Sequence, residues 1–218
     1  HTFCAGGRDP FGDDSRILPW DKPAEPMGAA RARMDAAFEF FSKLGVPYYC
    51  FHDRDMAPPG SSVHESERNL ATMVALAKER QHETGIKLLW GTANLFSHPR
   101  YMNGAATNPD FAVVAHAAAQ VKAALDATVA LGGENYVFWG GREGAEVDAA
   151  KDPVEAIKRF REALNFLCEY SRDQKYNFRF ALEAKPNEPR GDLYFPTTAA
   201  YLAFIPTLQY PEMVGVNP

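Results

Sequence analysis

The residues able to do chemistry in this chain fall at the ends of short apolar runs. Phe178-Arg179-Phe180-Ala181-Leu182-Glu183-Ala184-Lys185-Pro186-Asn187-Glu188-Pro189 is a strand-like run that ends in a carboxylate, a lysine and a rigid turn. Side chains alternate faces along a strand, so Arg179, Ala181, Glu183 and Lys185 are expected on one side, with Phe180 and Leu182 on the other. Isolated charges are expensive to bury. Glu183 and Lys185 must therefore pair with each other, hold a metal, or open on a solvent-filled mouth.

A second run finishes Cys50-Phe51-His52-Asp53-Arg54-Asp55, with an imidazole and two carboxylates inside four residues. His52 is the general-base candidate. A histidine base needs a fixed tautomer, and a carboxylate taking its Nδ1 proton supplies orientation and basicity. Asp55, three residues on, can curl back to do this. A loop histidine in a solvated charge cluster explains the same six residues equally well. Cys50 reads as a small buried thiol rather than a nucleophile.

Two further runs end Gly91-Thr92-Ala93-Asn94-Leu95-Phe96-Ser97-His98-Pro99 and Phe138-Trp139-Gly140-Gly141-Arg142-Glu143-Gly144. Turned inward, Phe96 and Trp139 make flat apolar walls that suit the faces of a sugar. Core packing is the commoner role for strand aromatics, and it is the only reading for Trp20 and Trp90. Arg142 and Glu143 read as a solvated salt-bridged pair. His1, His64, His82, His98 and His116 have no partner in the sequence that would make them ligands. His116 lacks a second histidine four residues away. Lys158-Arg159-Phe160-Arg161-Glu162 reads as a solvated helix face.

The elements that must position these residues alternate. Strands are expected at 48–52, 87–95, 136–139, 177–185 and 213–217, and helices near 27–44, 64–84, 110–131, 153–175 and 197–208. Asp152-Pro153 supplies a cap and a first-turn proline, and Gly45, Gly85 and Gly132 fall where helices should stop. Strands alternating with crossover helices give an α/β fold with a parallel sheet, open or closed. Trp90, Thr92, Asn94 and Phe96 share one parity, and so do Arg179, Glu183 and Lys185. Polar side chains on an inward strand face suit the mouth of a (β/α)₈ barrel better than a doubly wound sheet. Neither Gly6-Gly7 nor Gly132-Gly133 extends to a dinucleotide fingerprint.

Composition bounds the partners. With 218 residues, 46% of them hydrophobic, the chain can bury one sizeable core, and a single partial barrel domain over 1–218 is expected, with no second domain. A formal charge of -5 gives no basic field, so no nucleic-acid partner is expected. Three cysteines without a Cys-x-x-Cys spacing indicate neither a disulfide framework nor a zinc site, which suits a reducing cytoplasm. No apolar run approaches the roughly 18 residues that span a bilayer, and the first residues carry no export signal, so no membrane partner is expected either.

Taken together, Arg8-Asp9-Pro10-Phe11-Gly12, Phe51-His52-Asp53-Arg54-Asp55, Thr92-Ala93-Asn94-Leu95-Phe96-Ser97-His98-Pro99, Trp139-Gly140-Gly141-Arg142-Glu143-Gly144 and Lys185-Pro186-Asn187-Glu188-Pro189 resemble the xylose isomerases. These are metal-dependent aldose–ketose isomerases on a (β/α)₈ barrel, and five motifs in order make the resemblance specific. It implies that His52 assists sugar ring opening with Asp55 as its orienting partner. It implies that Lys185 hydrogen-bonds the carbonyl oxygen and that Glu183 is a metal ligand. Trp139, Phe96 and Thr92 would line the substrate pocket, and Phe11 would reach into a neighbouring subunit's pocket. The Glu188-Pro189 bond matches a cis peptide of the family.

The resemblance further implies conversion of D-xylose to D-xylulose and of D-glucose to D-fructose by a hydride shift, with two Mg²⁺, Mn²⁺ or Co²⁺ ions acting as Lewis acids. A cytoplasmic homotetramer acting on a small aldose is implied as well. The chain ends at Val216-Asn217-Pro218 and opens inside the expected first strand, so about six of eight strands are expected, with truncation at both ends. Glu183 is then the one matched metal ligand, and weak metal binding and inactivity of the chain alone are expected. Ala184 also stands where the family has proline. The alternative is a noncatalytic split or designed barrel fragment, or a chain completed by a complementary barrel segment.

Overall fold

The helices Pro26–Leu44, Val63–Thr84 and Pro153–Asp173 begin at residues whose side chains cap them. The computed structural model describes residues 18, 20, 25–177, 179–186 and 192–217. Along these run α1 (Pro26–Leu44), β1 (Tyr48–His52), α2 (Asp53–Met56), α3 (Val63–Thr84), β2 (Lys87–Thr92), α4 (Phe111–Ala130), β3 (Asn135–Trp139), β4 (Gly144–Ala145), α5 (Pro153–Asp173), β5 (Arg179–Glu183), β6 (Asp192–Leu193), α6 (Thr198–Phe204) and β7 (Val214–Asn217). Ser62 Oγ accepts from Glu65 N at 3.1 Å to start α3, and Asp152 caps α5 with proline next in the chain. Gly45 and Gly85 close α1 and α3 in the left-handed region, at φ +68° and +73°, which residues with a Cβ avoid.

The βα rhythm is as expected, with three elements shorter than their sequence patterns. The strand expected at 87–95 stops at Thr92, and that expected at 177–185 is observed over Arg179–Glu183. Asn94, Phe96 and Lys185 thus lie beyond strand ends, where parity does not fix their direction. The final helix gives way after Phe204 to a single 3-10 turn, Ile205–Thr207, because Pro206 cannot donate to the helix ladder. The sixth expected strand, at the start of the chain, lies outside the described residues. The two-residue antiparallel ladder of β4 with β6 has no sequence signal of its own.

The chain forms two compact units, the first within His1–Asn94 and Ala123–Glu134. Here β1 and β2 run parallel, with His52 opposite Thr92 and a slip between Tyr49 and Cys50. Tyr49 and Phe51 turn into a core with Met34 and Phe38 of α1, Met73 of α3 and Leu88 of β2. Alternation then sends Tyr48 and Cys50 to the other face, where both are exposed. Cys50 is therefore not the buried thiol its sequence suggests.

The second unit, Leu95–Lys122 with Asn135–Pro218, holds parallel β3, β5 and β7 in that order. Phe180 and Leu182 are buried while Arg179 is exposed, which is the alternation expected of β5. Helix α5 buries Ala156, Phe160, Leu164, Leu167 and Cys168, a stripe at helical spacing. Phe160 is thus core, so the charged pentapeptide around it is solvated only in part. Burial, with Glu212 and Glu169 nearby, pushes the Cys168 thiol up to about 12.

Candidate functional site

In the first unit, the carboxyl end of β1 carries His52, which also opens the one-turn helix α2. That turn returns Asp55 to the histidine, with Nδ1 3.1 Å from Asp55 Oδ2. The two side chains are 15% and 14% exposed, dry enough for the contact to matter. Burial pushes the Asp55 carboxyl up, and the hydrogen bond from His52 is the largest of the opposing effects; the balance holds it below the usual aspartate range. Arg33 of α1 donates through Nη1 to the Asp55 carbonyl at 3.4 Å. Thr92 is buried opposite His52.

Two neighbours of this pair were not legible as such. Asp53 is 3% exposed, and its Oδ1 accepts from Arg54 N at 2.8 Å and from Asn94 N at 2.7 Å. A carboxylate satisfied by backbone donors pins α2 to the loop that follows β2. The only signal was its place between His52 and Asp55. Trp90, read as packing alone, stands edge-on to the His52 ring with centroids 6.3 Å apart.

In the second unit, Trp139, Glu183 and Asn217 are register partners at the carboxyl ends of β3, β5 and β7. Catalytic groups of βα barrels come from this end of their strands. Asn217 Nδ2 donates to Glu183 Oε2 at 2.6 Å. Phe96, 3% exposed, meets the Trp139 ring edge-on at 4.6 Å between centroids. Lys185 lies two residues past β5 and is half-buried. Tyr201 of α6 is buried, and burial together with the charges of Glu143 and Glu183 pushes its hydroxyl pKa up. Nothing in the sequence singled out Tyr201.

Arg142 and Glu143 are not a solvated pair. Glu143 is 7% exposed and accepts from Ala105 N and Ala106 N at 3.0 Å, from Thr107 N at 3.1 Å and from Thr107 Oγ1. Arg142 Nε donates to Phe96 O at 3.1 Å. The reason is the tight turn after Trp139, which sends the two side chains to separate backbone partners. The histidines also acquire partners: His98 Nδ1 accepts from Arg100 N at 3.1 Å, Arg100 Nη1 meets His116 Nε2, and His64 lies 3.4 Å from Glu67. Phe11 and the Glu188-Pro189 turn lie outside the described residues.

The sequence-predicted residues divide between the two units. His52, Asp55 and Thr92 belong to the first unit, and Phe96, Trp139, Glu183 and Lys185 to the second. Among the described residues no three His, Cys, Asp or Glu side chains converge as a metal site. Glu183 brings one carboxylate, and one of its oxygens is taken by the Asn217 amide. A pair of hard divalent ions, each wanting about six oxygen ligands, does not fit that donor set. Also among the described residues, no helix is long and apolar enough to cross a membrane.

The chain is 55% identical over 208 residues to "Xylose isomerase 1" of Xanthomonas axonopodis pv. citri, covering 94% of this chain and 46% of that protein. "Xylose isomerase" of Xanthomonas oryzae pv. oryzae gives the same identity and coverage. The chain thus spans about half the length of the curated relatives it matches. Among solved structures, a D-allulose 3-epimerase from Methylomonas sp. superposes with TM-score 0.59 at 19% identity, over 87% of this chain and 56% of that one. A D-psicose 3-epimerase gives TM-score 0.57 at 17% identity, over 83% and 56%. At such identities these two speak for the α/β barrel fold alone. The sequence profile of the xylose isomerase-like TIM barrel family matches residues 71–218, and the chain belongs to that family.

Proposed function

We propose that this chain supplies part of an aldose–ketose isomerase that interconverts D-xylose and D-xylulose, and D-glucose and D-fructose, through a hydride shift. The observation that carries the reading is the His52–Asp55 hydrogen bond at a strand's carboxyl end, in a chain 55% identical to proteins named xylose isomerase. With Nδ1–H donating to Asp55, His52 would present Nε2 as an acceptor for the anomeric hydroxyl proton during ring opening. The Lys185 ammonium serves the carbonyl oxygen, where negative charge grows as hydrogen moves between C2 and C1. Phe96, Trp139 and Thr92 bound the sugar.

The same reading takes residues 1–218 as one barrel domain of a cytoplasmic homotetramer. It also takes Mg²⁺, Mn²⁺ or Co²⁺ as the metals of the whole site, Glu183 giving one ligand. A noncatalytic barrel module is the second reading, favoured by the amide that occupies Glu183.

The test is aldose isomerisation by the purified 218-residue chain with Mg²⁺ or Co²⁺, alongside calorimetric metal titration. No turnover and no two-site binding are expected, because one carboxylate is all that Glu183 offers. Normal turnover by the chain alone contradicts the donor count. If turnover then appears on adding a complementary barrel segment, the module reading fails.

A further inference from the structure

We propose that Gly141, Arg142 and Glu143 are positioning residues for the aromatic wall made by Phe96 and Trp139. The inference rests on the reading of that wall as a sugar-binding surface, and it goes beyond it by naming what holds the wall in shape. Phe96 lies four residues past the end of β2, so no strand ladder sets its place. Trp139 is the last residue of β3. Beyond these ends something else must keep the two rings edge-on at 4.6 Å.

The turn after Trp139 provides it. Glu143 N donates to Gly140 O and Gly144 N to Arg142 O, both at 3.0 Å, which folds 140–144 tightly. Gly141 seats the indole: a Cβ there would stand 2.3 Å from Trp139 Cζ3 and 2.4 Å from Cη2, so any larger residue moves the ring. Arg142 Nε holds Phe96 by its own carbonyl, at 3.1 Å. Glu143 gathers three successive backbone N–H groups of 105–107, an anion nest filled by the chain itself. Lys151 braces the same loop, donating from Nζ to Thr107 Oγ1 at 2.7 Å and Asn103 O at 2.9 Å. Three consecutive residues thus act in turn on the first ring, the second ring and the loop that follows the second ring. A solvated charge pair would have none of these partners.

The experiment reads Trp139 by fluorescence in the full chain carrying Trp20→Phe and Trp90→Phe, so that it is the sole tryptophan. Arg142→Met and Gly141→Ala are expected to give a several-fold rise in acrylamide quenching and a red shift of emission. Arg142→Lys, which keeps a donor for the Phe96 carbonyl, should recover most of the parent signal. A control chain with Trp20→Phe and Trp139→Phe reports on Trp90, whose quenching and whose far-UV circular dichroism should stay at parent values in each variant. Unchanged Trp139 quenching in both variants overturns the proposal. So does a parallel rise at Trp90, which means general loosening. D-xylose is titrated separately: protection of Trp139 in the parent supports the sugar reading, and whichever way it falls the quenching of the variants decides the positioning role on its own.

Discussion

Asn217 and Glu183 end neighbouring parallel strands in register, and the asparagine amide donates to the glutamate at 2.6 Å. This contact resolves the difficulty raised by a charged row on a strand whose other face is core. Glu183 is half-buried, and a half-buried carboxylate that accepts from an amide needs no metal to be stable.

Asn217→Asp sets a second carboxylate beside the first, and like charges at that range disfavour joint ionisation. The folded-state pKa of the pair rises above the unfolded value. The variant is therefore near parental stability in acid and loses about 1–3 kcal/mol as pH rises through the folded pKa. Urea unfolding at neutral and acid pH checks this; a penalty equal at both would show that the two side chains do not interact.

Asp55 carries the opposite sign. Its carboxyl is held below the usual range, so the stability it contributes is present above the unfolded aspartate pKa and is lost as pH falls through the folded one. Asp55→Asn should unfold more easily than the parent at neutral pH, and the gap should close in acid. A gap that widens on acidification would mean that burial, not the His52 contact, dominates.

On β5 the two faces should respond differently. Leu182→Ala empties a fully buried site and is expected to cost about 2–5 kcal/mol, whereas Arg179→Ala on the exposed face should change stability by less than about 0.5 kcal/mol. Equilibrium denaturation of both variants decides whether the strand alternates as described.

Glu143→Gln keeps the volume of the buried side chain but turns an NH₂ group toward backbone donors. Removing a charge-assisted set of hydrogen bonds should cost roughly 1.5–3 kcal/mol. Hydrogen exchange at the amides of 105–107 should quicken, because one of the two acceptor oxygens becomes an NH₂ group and the other loses its charge. Unchanged protection there would mean that the loop is held by other contacts.

Much of this architecture was legible because local rules and tertiary structure agree. The stops at Gly45 and Gly85, the cap at Asp152 and the alternation of Phe180 and Leu182 against Arg179 all follow from backbone sterics and burial. His52 with Asp55 was legible because three residues make one turn of helix. Alternation carries no information past an element's end. Asn94, Phe96 and Lys185 continue the sequence pattern of their strands, but the strands stop at Thr92 and Glu183. Arg142 and Glu143 looked like surface charge, since nothing in their own stretch shows that backbone donors from 105–107 and the Phe96 carbonyl arrive from over thirty residues away. Asp53 and Tyr201 are silent in sequence for the same reason: their partners are distant along the chain.

The most direct test of the isomerase reading grafts this chain in place of the 46% of the Xanthomonas axonopodis protein that it matches. Aldose isomerisation of the purified chimera is then measured with Mg²⁺, against versions carrying His52→Gln or Lys185→Met. The account predicts D-xylose turnover by the chimera and losses of roughly a hundredfold or more in each variant. A folded, metal-binding chimera without turnover, or full turnover in Lys185→Met, contradicts it.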